Sequence, residues 1–216
     1  MAFYKRPSPK YRDRNEAGKV LAPELLEYKD KGVIVLAVPN GGVPVACVIA
    51  KELHADLYLM IVRKLQIPSN TEAGFGALTS DGFVLFNQRL IDSLHMSEDD
   101  IEKQREKAYQ SIRSRQKYFG NQAVLPCLKD RIIILVDDGL ASGFTMEAAL
   151  KSVKSRGAKC IVIAVPTSSL SAFQRLKPQV DRIICPDISS LPVFAVADAY
   201  RNWYDLNEAE ALSLLS

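Results

Sequence analysis

The chain has 216 residues, 48% of them hydrophobic, and its 28 basic and 25 acidic side chains leave a formal charge of +3. This composition excludes a disordered tail, a coiled-coil rod and a polycationic wrapper of nucleic acid. We expect one domain, 1–216, with a large core. No apolar run approaches the about 18 residues that span a bilayer, and the first residues lack the apolar stretch of a signal peptide, so we expect a cytoplasmic protein.

The cysteines are far apart and show no C-x-x-C spacing and no adjacent histidine. They are Cys47, Cys127, Cys160 and Cys185. This pattern fits neither a zinc site nor a disulfide framework. We interpret all four as reduced thiols in the core.

Apolar runs rich in β-formers recur along the chain, at residues 33–38, 57–62, 132–136, 160–165 and 183–185. Runs that are apolar on both faces are typical of buried parallel strands. Residues 43–53 and 144–156 show helical spacing instead, and Gly157 is placed to end the second helix. The alternation predicts an α/β fold with a doubly wound, mainly parallel sheet and helices on both of its faces.

A polar helical stretch at residues 97–119 interrupts this alternation. Ser97 is suited to cap its N-terminus, and Ile101, Ala108, Ile112 and Phe119 fall on one stripe. We expect an inserted helix that packs on the sheet edge or on a partner chain. Its basic residues favour a solvated face over a patch for nucleic acid or an acidic partner, because the net charge is small and no nucleic-acid-binding signature accompanies them.

The segment at residues 132–146, IIILVDDGLASGFTM, is the most informative one. A buried strand ends in Asp137 and Asp138, and a loop of small residues then opens a helix. Ligands of open α/β sheets bind beyond the carboxyl ends of the strands. The loop amides and the helix N-terminus suit a phosphate, and Ser142 and Thr145 add hydroxyl donors. The carboxylates would repel that phosphate, so we expect them to face sugar hydroxyls or a cation. A ribose 5′-phosphate would satisfy both the carboxylates and the loop amides.

A second segment follows the same logic. The strand at residues 33–38 runs into PNGG, and Pro44 fits the first turn of the next helix. The two glycines expose amides for a second anion, although an ordinary strand-to-helix turn explains PNGG equally well. Two such loops together imply a ligand with phosphates at both ends.

Arg63 and Lys64 stand at the end of the predicted strand 57–62. The residues after them, LQIPSNTEAGFG, include the turn and hinge formers Pro68, Ser69, Asn70, Gly74 and Gly76. We expect a mobile loop whose two cations close over a polyphosphate. A pair of ordinary surface charges is the alternative.

At these residues the sequence resembles the type I phosphoribosyltransferases. VDDGLASGFT is similar to their signature for 5-phosphoribosyl-1-pyrophosphate (PRPP), and RDRNEAGKVLAPEL, PNGGVPVA, VRKLQIP and PVFAVADAYRNWYDLNEAE resemble a group of uncharacterised predicted members. The resemblance implies transfer of phosphoribose from PRPP to a nitrogenous base, in nucleotide salvage or synthesis, with release of pyrophosphate. It also implies a homodimer, and Mg²⁺ carried on the PRPP oxygens, with Asp137 and Asp138 reaching the ion at most through water.

The resemblance also implies a role for each segment. Asp137 and Asp138 would hold the ribose hydroxyls, and Arg63 and Lys64 would belong to the catalytic loop. The 5′-phosphate would bind Ala141, Ser142, Gly143, Phe144 and Thr145. The pyrophosphate would bind Pro39, Asn40, Gly41 and Gly42.

Two positions depart from the family pattern. Phe144 replaces a small residue and puts a ring near the phosphate, and Ala141 replaces the acid of the hypoxanthine-guanine enzymes. A 6-oxopurine is therefore a weaker candidate for the acceptor than the substrates of the adenine and orotate classes. The acceptor of such enzymes is held by a hood built from terminal segments, where Tyr200, Trp203 and Tyr204 either stack on a base or form core or dimer contacts.

Two other functions share parts of this pattern. A regulatory protein could bind PRPP without catalysis. A phosphoacceptor receiver domain is disfavoured because its acidic cluster follows the first strand, whereas that strand ends here in PNGG.

Overall fold

The computed structural model describes residues 8–68 and 70–215, without the side chains of residues 70–73. Its strands are β1 (Ile34–Ala37), β2 (Asp56–Leu59), β3 (Val62–Ile67), β4 (Asn70–Thr79), β5 (Val84–Phe86), β6 (Ile132–Val136), β7 (Cys160–Ala164), β8 (Thr167–Ser169), β9 (Arg182–Ile184) and β10 (Asp187–Ser189). Its α-helices are α1 (Arg14–Leu21), α2 (Gly42–Leu53), α3 (Gln88–Ser93), α4 (Glu98–Phe119), α5 (Phe144–Ser155), α6 (Leu170–Leu176) and α7 (Glu208–Ser213). No helix in these ranges is long and apolar enough to cross a membrane.

A central sheet of five parallel strands organises the fold, in the order β2-β1-β6-β7-β9. Strand residues alternate between two cores: Val35 and Ile134 lie in the core that contains α2, and Leu36 and Leu135 lie in the core that contains α5. The helices that follow β1 and β6 therefore cover opposite faces, which confirms the doubly wound α/β fold. The carboxyl ends of the neighbouring strands β1 and β6 are therefore the topological switch point, where ligands of such sheets bind.

The prediction of one strand at residues 57–62 followed by a loop is wrong, and the mobility expected of this segment stays a prediction. The strand ends at Leu59, and β3 and β4 then pair antiparallel as a hairpin that β5 extends to three strands. Met60 and Ile61 are buried where the chain passes between the sheets, so the apolar run continues without a strand. Gly76 is a strand residue paired with Phe86, and it must be glycine because a Cβ there would lie 2.6 Å from the Leu85 carbonyl oxygen. Ser69 lies outside the described residues.

The helix predicted at residues 97–119 is confirmed as α4, and the Ser97 side chain accepts a hydrogen bond from the Asp100 amide. Ala108, Ile112 and Phe119 are buried in this chain's own core, and α4 packs beside β3. The cysteine prediction holds only in part: all four thiols are free, but Cys127 is exposed and the others are partly buried.

Asp81, in the turn after β4, ties the hairpin sheet to α5. Its carboxylate accepts hydrogen bonds from Thr79 (2.6 Å) and Ser152 (2.7 Å) and lies 3.4 Å from Arg156. Burial pushes the pKa of Asp81 upward, but these three donors outweigh burial and leave the pKa below its usual range.

Replacing Asp81 with Ala should therefore lower the free energy of unfolding at pH 7 by about 2 to 3 kcal/mol, since Ser152 is fully buried and loses its acceptor. Urea unfolding measures this change, with Asp99→Ala, at an exposed position of α4, as a near-neutral control. A carboxyl with a depressed folded pKa stabilises above its unfolded pKa of about 3.9, and this contribution disappears as the pH falls through the folded pKa. An Asp81→Ala effect that stays constant down to about pH 2.5 would contradict this account.

Candidate functional site

The loops after β1 and β6 lie side by side at the switch point. Ala37 pairs with Val136 at the ends of these strands, and the Val38 amide donates to the Val136 carbonyl. An ideal Cβ on Gly41 would lie only 1.9 Å from Asp138 Oδ2, and one on Gly42 would lie 2.8 Å from Val136 O. Both positions therefore require glycine because two loops touch there. The sequence suggested only that these glycines expose amides.

The two carboxylates predicted as a pair differ in their surroundings. Asp137 Oδ1 accepts a hydrogen bond from the Asp138 amide at 2.8 Å. Burial, and then the neighbouring charge of Asp138, raise the pKa of Asp137 well above its usual range. Perturbed carboxylates of this kind are common in functional sites.

Asp138 is bound by Arg14, a residue for which the sequence analysis assigned no role. Arg14 Nε donates to Asp138 Oδ2 at 2.8 Å, and the two side chains are only 8% and 13% exposed. Arg14 Nη1 also donates to the Tyr204 carbonyl at 3.0 Å. Arg14 begins α1 within the RDRNEAGKVLAPEL segment, where Asp13 caps the helix by accepting from the Glu16 amide. The family likeness of that segment was the one signal pointing to this residue.

The C-terminal aromatic residues surround Arg14. Its guanidinium carbon lies 4.1 Å from the centre of the Trp203 ring and 5.8 Å from that of Tyr200. The Tyr200 hydroxyl donates to the Asp138 carbonyl at 2.6 Å, and burial, with the charge of Asp138, raises the pKa of that hydroxyl. For Tyr200 and Trp203 the structure favours packing contacts over stacking on a base, because both rings lie against the Arg14 guanidinium.

The loop predicted to hold the 5′-phosphate leads into α5. Among the described residues, the amides of Ala141, Ser142 and Gly143 donate no backbone hydrogen bond. The Thr145 amide lies in the first turn of α5, where no intrahelical acceptor exists, so this loop offers amides to an anion. Gly143 has φ +75°, a left-handed conformation that favours glycine. A Cβ there would also lie 3.1 Å from Ala172, so Gly143→Val would strain the fold itself besides the loop.

Phe144 does bring a ring to the mouth of this loop. Arg175 holds it in place, with its guanidinium carbon 4.8 Å from the ring centre. The Phe144 amide makes one long contact, 3.4 Å to the Ser142 hydroxyl.

The predicted pyrophosphate loop consists of Pro39, Asn40, Gly41 and Gly42, with a cis peptide between Pro39 and Asn40. Within the described part of the chain, the amides of Asn40 and Gly41 donate no backbone hydrogen bond, whereas the Gly42 amide donates to Val38 O at 3.1 Å. Gly42 therefore serves close packing and offers no amide to a ligand.

The Asn40 side chain is held at both ends. Its Nδ2 donates to the Leu206 carbonyl at 2.8 Å, and its Oδ1 accepts from Arg115 Nη2 at 3.0 Å. Arg115 belongs to α4, whose basic residues the sequence analysis interpreted as a solvated face. That interpretation is wrong for Arg115, which is 12% exposed.

Arg63 and Lys64 lie on β3, in the hairpin. Arg63 is half-buried and Lys64 is exposed. Burial, and then the charge of Arg115, lower the pKa of Arg63. The packing of α4 beside β3 places Arg63 in one pocket with Ser111, one helical turn before Arg115, whose partner Asn40 belongs to the pyrophosphate loop.

A cavity of about 290 Å³ lies on the side of β8 and β10. Its wall includes Thr167, Asp187, Phe194 and Asp198. An ideal Cβ on Gly139 would lie 2.9 Å from Thr167 Cγ2, so the cavity adjoins the residue that follows Asp138.

The Arg14–Asp138 pair should couple strongly in a double-mutant cycle. Arg14→Met and Asp138→Asn should each lower the free energy of unfolding by about 3 kcal/mol, because each leaves a nearly buried charge unpaired. The double variant should lose clearly less than the sum. The exposed Lys103–Asp99 pair of α4 is the control, with an expected coupling of about 0.3 to 0.5 kcal/mol. Additive losses at Arg14 and Asp138 would show that the ion pair contributes nothing.

Comparisons with known proteins agree with this architecture. A family model described as "Phosphoribosyl transferase domain" matches residues 77–197, more than half of the chain. This range contains the acidic pair, the loop at residues 141–145 and much of the cavity lining. A Mycobacterium tuberculosis protein, named "Putative phosphoribosyl transferase" in two strains, is 34% identical over 203 residues. These residues are 94% of this chain but 46% of the relative, so the chain spans less than half of that protein.

Solved structures share the fold of this chain. The crystal structure of TT1426 from Thermus thermophilus superposes with a TM-score of 0.79 at 29% identity, covering 95% of this chain and 97% of that one. AQ2163 from Aquifex aeolicus, with a TM-score of 0.51 and 11% identity, covers 81% of this chain and 74% of its own, and shows a shared fold alone. Because the family model matches more than half of the chain and the Mycobacterium tuberculosis relative is 34% identical over 94% of it, the chain belongs to the phosphoribosyl transferase domain family.

Proposed function

We propose that the protein transfers phosphoribose from PRPP to a nitrogenous base and releases pyrophosphate. The observation that carries this proposal is the acidic pair Asp137–Asp138 between two loops with open amides, at the switch point of the sheet. A ligand that fits must offer hydroxyls at its centre and an anion at each end. PRPP has this pattern.

In the proposed complex the 5′-phosphate binds the amides of residues 141–145 at the start of α5, and the pyrophosphate binds the amides of Asn40 and Gly41. The ribose hydroxyls donate to Asp137 and Asp138. The Arg14 contact takes one oxygen of Asp138 and orients the carboxylate. The guanidinium thereby restrains the acidic pair before the ligand arrives, which reduces the reorganisation needed on binding.

Breaking the bond between ribose C1 and pyrophosphate builds positive charge on the ring and negative charge on the leaving group. The acidic pair stabilises the first, and Arg63 with Lys64 on the hairpin stabilises the second. Bound Mg²⁺ would add charge neutralisation on the pyrophosphate oxygens. The ion is proposed to lie on oxygens of the ligand, since Mg²⁺ keeps several waters and needs few protein carboxylates.

The acceptor is proposed to enter the cavity that adjoins Gly139. Its wall combines apolar Val193 and Phe194 with polar Thr167 and Asp187, the mixture that suits a planar nitrogenous ring. Ala141, which is exposed at the loop, offers no carboxylate to a base nitrogen. This supports the adenine or orotate classes of acceptor over a 6-oxopurine. The proposal includes a homodimer, as the family resemblance implies, and a cytoplasmic location.

The direct test is a pyrophosphate-release assay with PRPP, Mg²⁺ and a panel of purine and pyrimidine bases. The transferase proposal predicts release that depends on one base or a few. A PRPP-binding regulatory protein, the second candidate, would bind PRPP in calorimetry and release no pyrophosphate with any base. Absence of PRPP binding would overturn both.

Replacing Asp137 with Asn should have opposite effects on stability and on PRPP. The raised pKa means that the ionised Asp137 destabilises the fold, because stability falls as the pH rises from the unfolded pKa through the folded one. Asn removes this charge and still accepts from the Asp138 amide, so the unliganded variant should melt at a higher temperature at pH 8. Productive turnover should fall at least tenfold, by loss of a charged partner of the ribose.

Asp56→Asn is the matched control, since Asp56 is exposed at the other end of the central sheet. It should leave both the melting temperature and the turnover close to those of the parent. Parent-like turnover in Asp137→Asn would exclude Asp137 from the reaction, and a lower melting temperature would contradict the stated cost of its charge.

A further inference from the structure

Two arginines from separate elements meet beside the pyrophosphate loop. Arg115 comes from α4 and Arg63 from the hairpin, whose strand β3 packs beside α4. Arg63 lines one pocket with Ser111, which lies one helical turn before Arg115, and the charge of Arg115 helps to lower the pKa of Arg63. Arg115 Nε donates to Glu208 Oε1 at 2.6 Å while its Nη2 donates to Asn40. Glu208, on α7, also interacts electrostatically with Arg63. One carboxylate is thus paired with Arg115 and also acts electrostatically on Arg63.

This cluster carries one positive charge in excess. The half-buried Arg63 makes no hydrogen bond or ion pair with the residues that the structure describes. A cation that is partly removed from water and placed beside a second cation is unfavourable without an anion. The open amides of Asn40 and Gly41 follow on the same loop, so the position suits an anion with several charges.

We propose that Arg115 and Arg63 bind the leaving pyrophosphate, and that the Glu208 carboxylate occupies their site until pyrophosphate displaces it. The identity of the ligand rests on the proposed function. In this proposal the inserted helix α4 has a role in the site, because it contributes Arg115 beside Arg63 of the hairpin.

Displacement of the carboxylate requires Arg115 to stay in place and Glu208 to move, and the surroundings of each residue allow this. Arg115 is 12% exposed and is anchored on Asn40, so its guanidinium stays in place when the carboxylate leaves. Glu208 is 39% exposed and is the first residue of α7, between the capping-box residues Asn207 and Glu210. Its side chain can therefore turn into water while the backbone of α7 keeps its cap.

The test is calorimetric titration of inorganic pyrophosphate into the full chain and three variants. Arg115→Gln and Arg63→Gln should each weaken binding about ten- to a hundredfold, as for lost hydrogen bonds to a charged group. Glu208→Gln should tighten binding about three- to tenfold, because the competing anion is gone. Arg113→Gln, at an exposed position of the same helix, should leave the affinity unchanged and controls for net charge.

The opposite signs separate this proposal from a structural ion pair. If the Arg115–Glu208 contact merely holds α7 on α4, Glu208→Gln should weaken pyrophosphate binding as Arg115→Gln does, and that result overturns the proposal. Unchanged affinity in Arg63→Gln also overturns it, and this variant removes a group that bonds to none of the described residues, so it should fold normally.

The outcome is distinguishable from that of the proposed function. Opposite shifts in pyrophosphate affinity, with no turnover of PRPP on any base, would support the binding site and reject only the transferase reaction. Base-dependent turnover that is identical in all three variants, with unaltered pyrophosphate affinity, would support the transferase and overturn the present inference.

Discussion

The contact between Arg14 and Asp138 is the interaction on which the site depends. It joins residues 124 positions apart and connects the first turn of α1 to the end of β6 at 2.8 Å. Trp203 and the Tyr204 carbonyl hold the same guanidinium, so the terminal segments of the chain meet at the acidic pair. Few arrangements would satisfy a cation this deeply buried. The contact therefore fixes both the carboxylate and the C-terminal segment.

Two pairs of like charges are found in the site around this contact. Asp137 lies beside Asp138 with a raised pKa, and Arg63 lies beside Arg115 with a lowered one. Each conflict would be relieved by the part of PRPP proposed to bind there: ribose hydroxyls at the carboxylates, pyrophosphate at the arginines. Sites of this kind sacrifice stability in the empty protein for affinity in the complex. The N-terminal and C-terminal segments around Arg14 fit the proposed hood, with the acceptor cavity beside them.

The sequence predicted what local patterns determine. The strand, acidic pair, loop and helix of residues 132–155 were foreseen because hydrophobic periodicity and small residues specify them within one segment. The roles of Arg14 and Arg115 were missed because their partners, Asp138 and Asn40, lie 124 and 75 positions away, and pairing at such distances leaves no local pattern. The hairpin was missed because Met60 and Ile61 extend an apolar run through a connection that is buried without being a strand.

A crystal structure of the protein with PRPP and Mg²⁺ bound tests the central claim most directly, since the claim is about where each part of the ligand lies. The account predicts ribose hydroxyls within hydrogen-bonding distance of Asp137 and Asp138, the 5′-phosphate on the amides of residues 141–145, and pyrophosphate beside Asn40 and Gly41. Density for PRPP at another place, or with its phosphates exchanged between the two loops, would contradict the account.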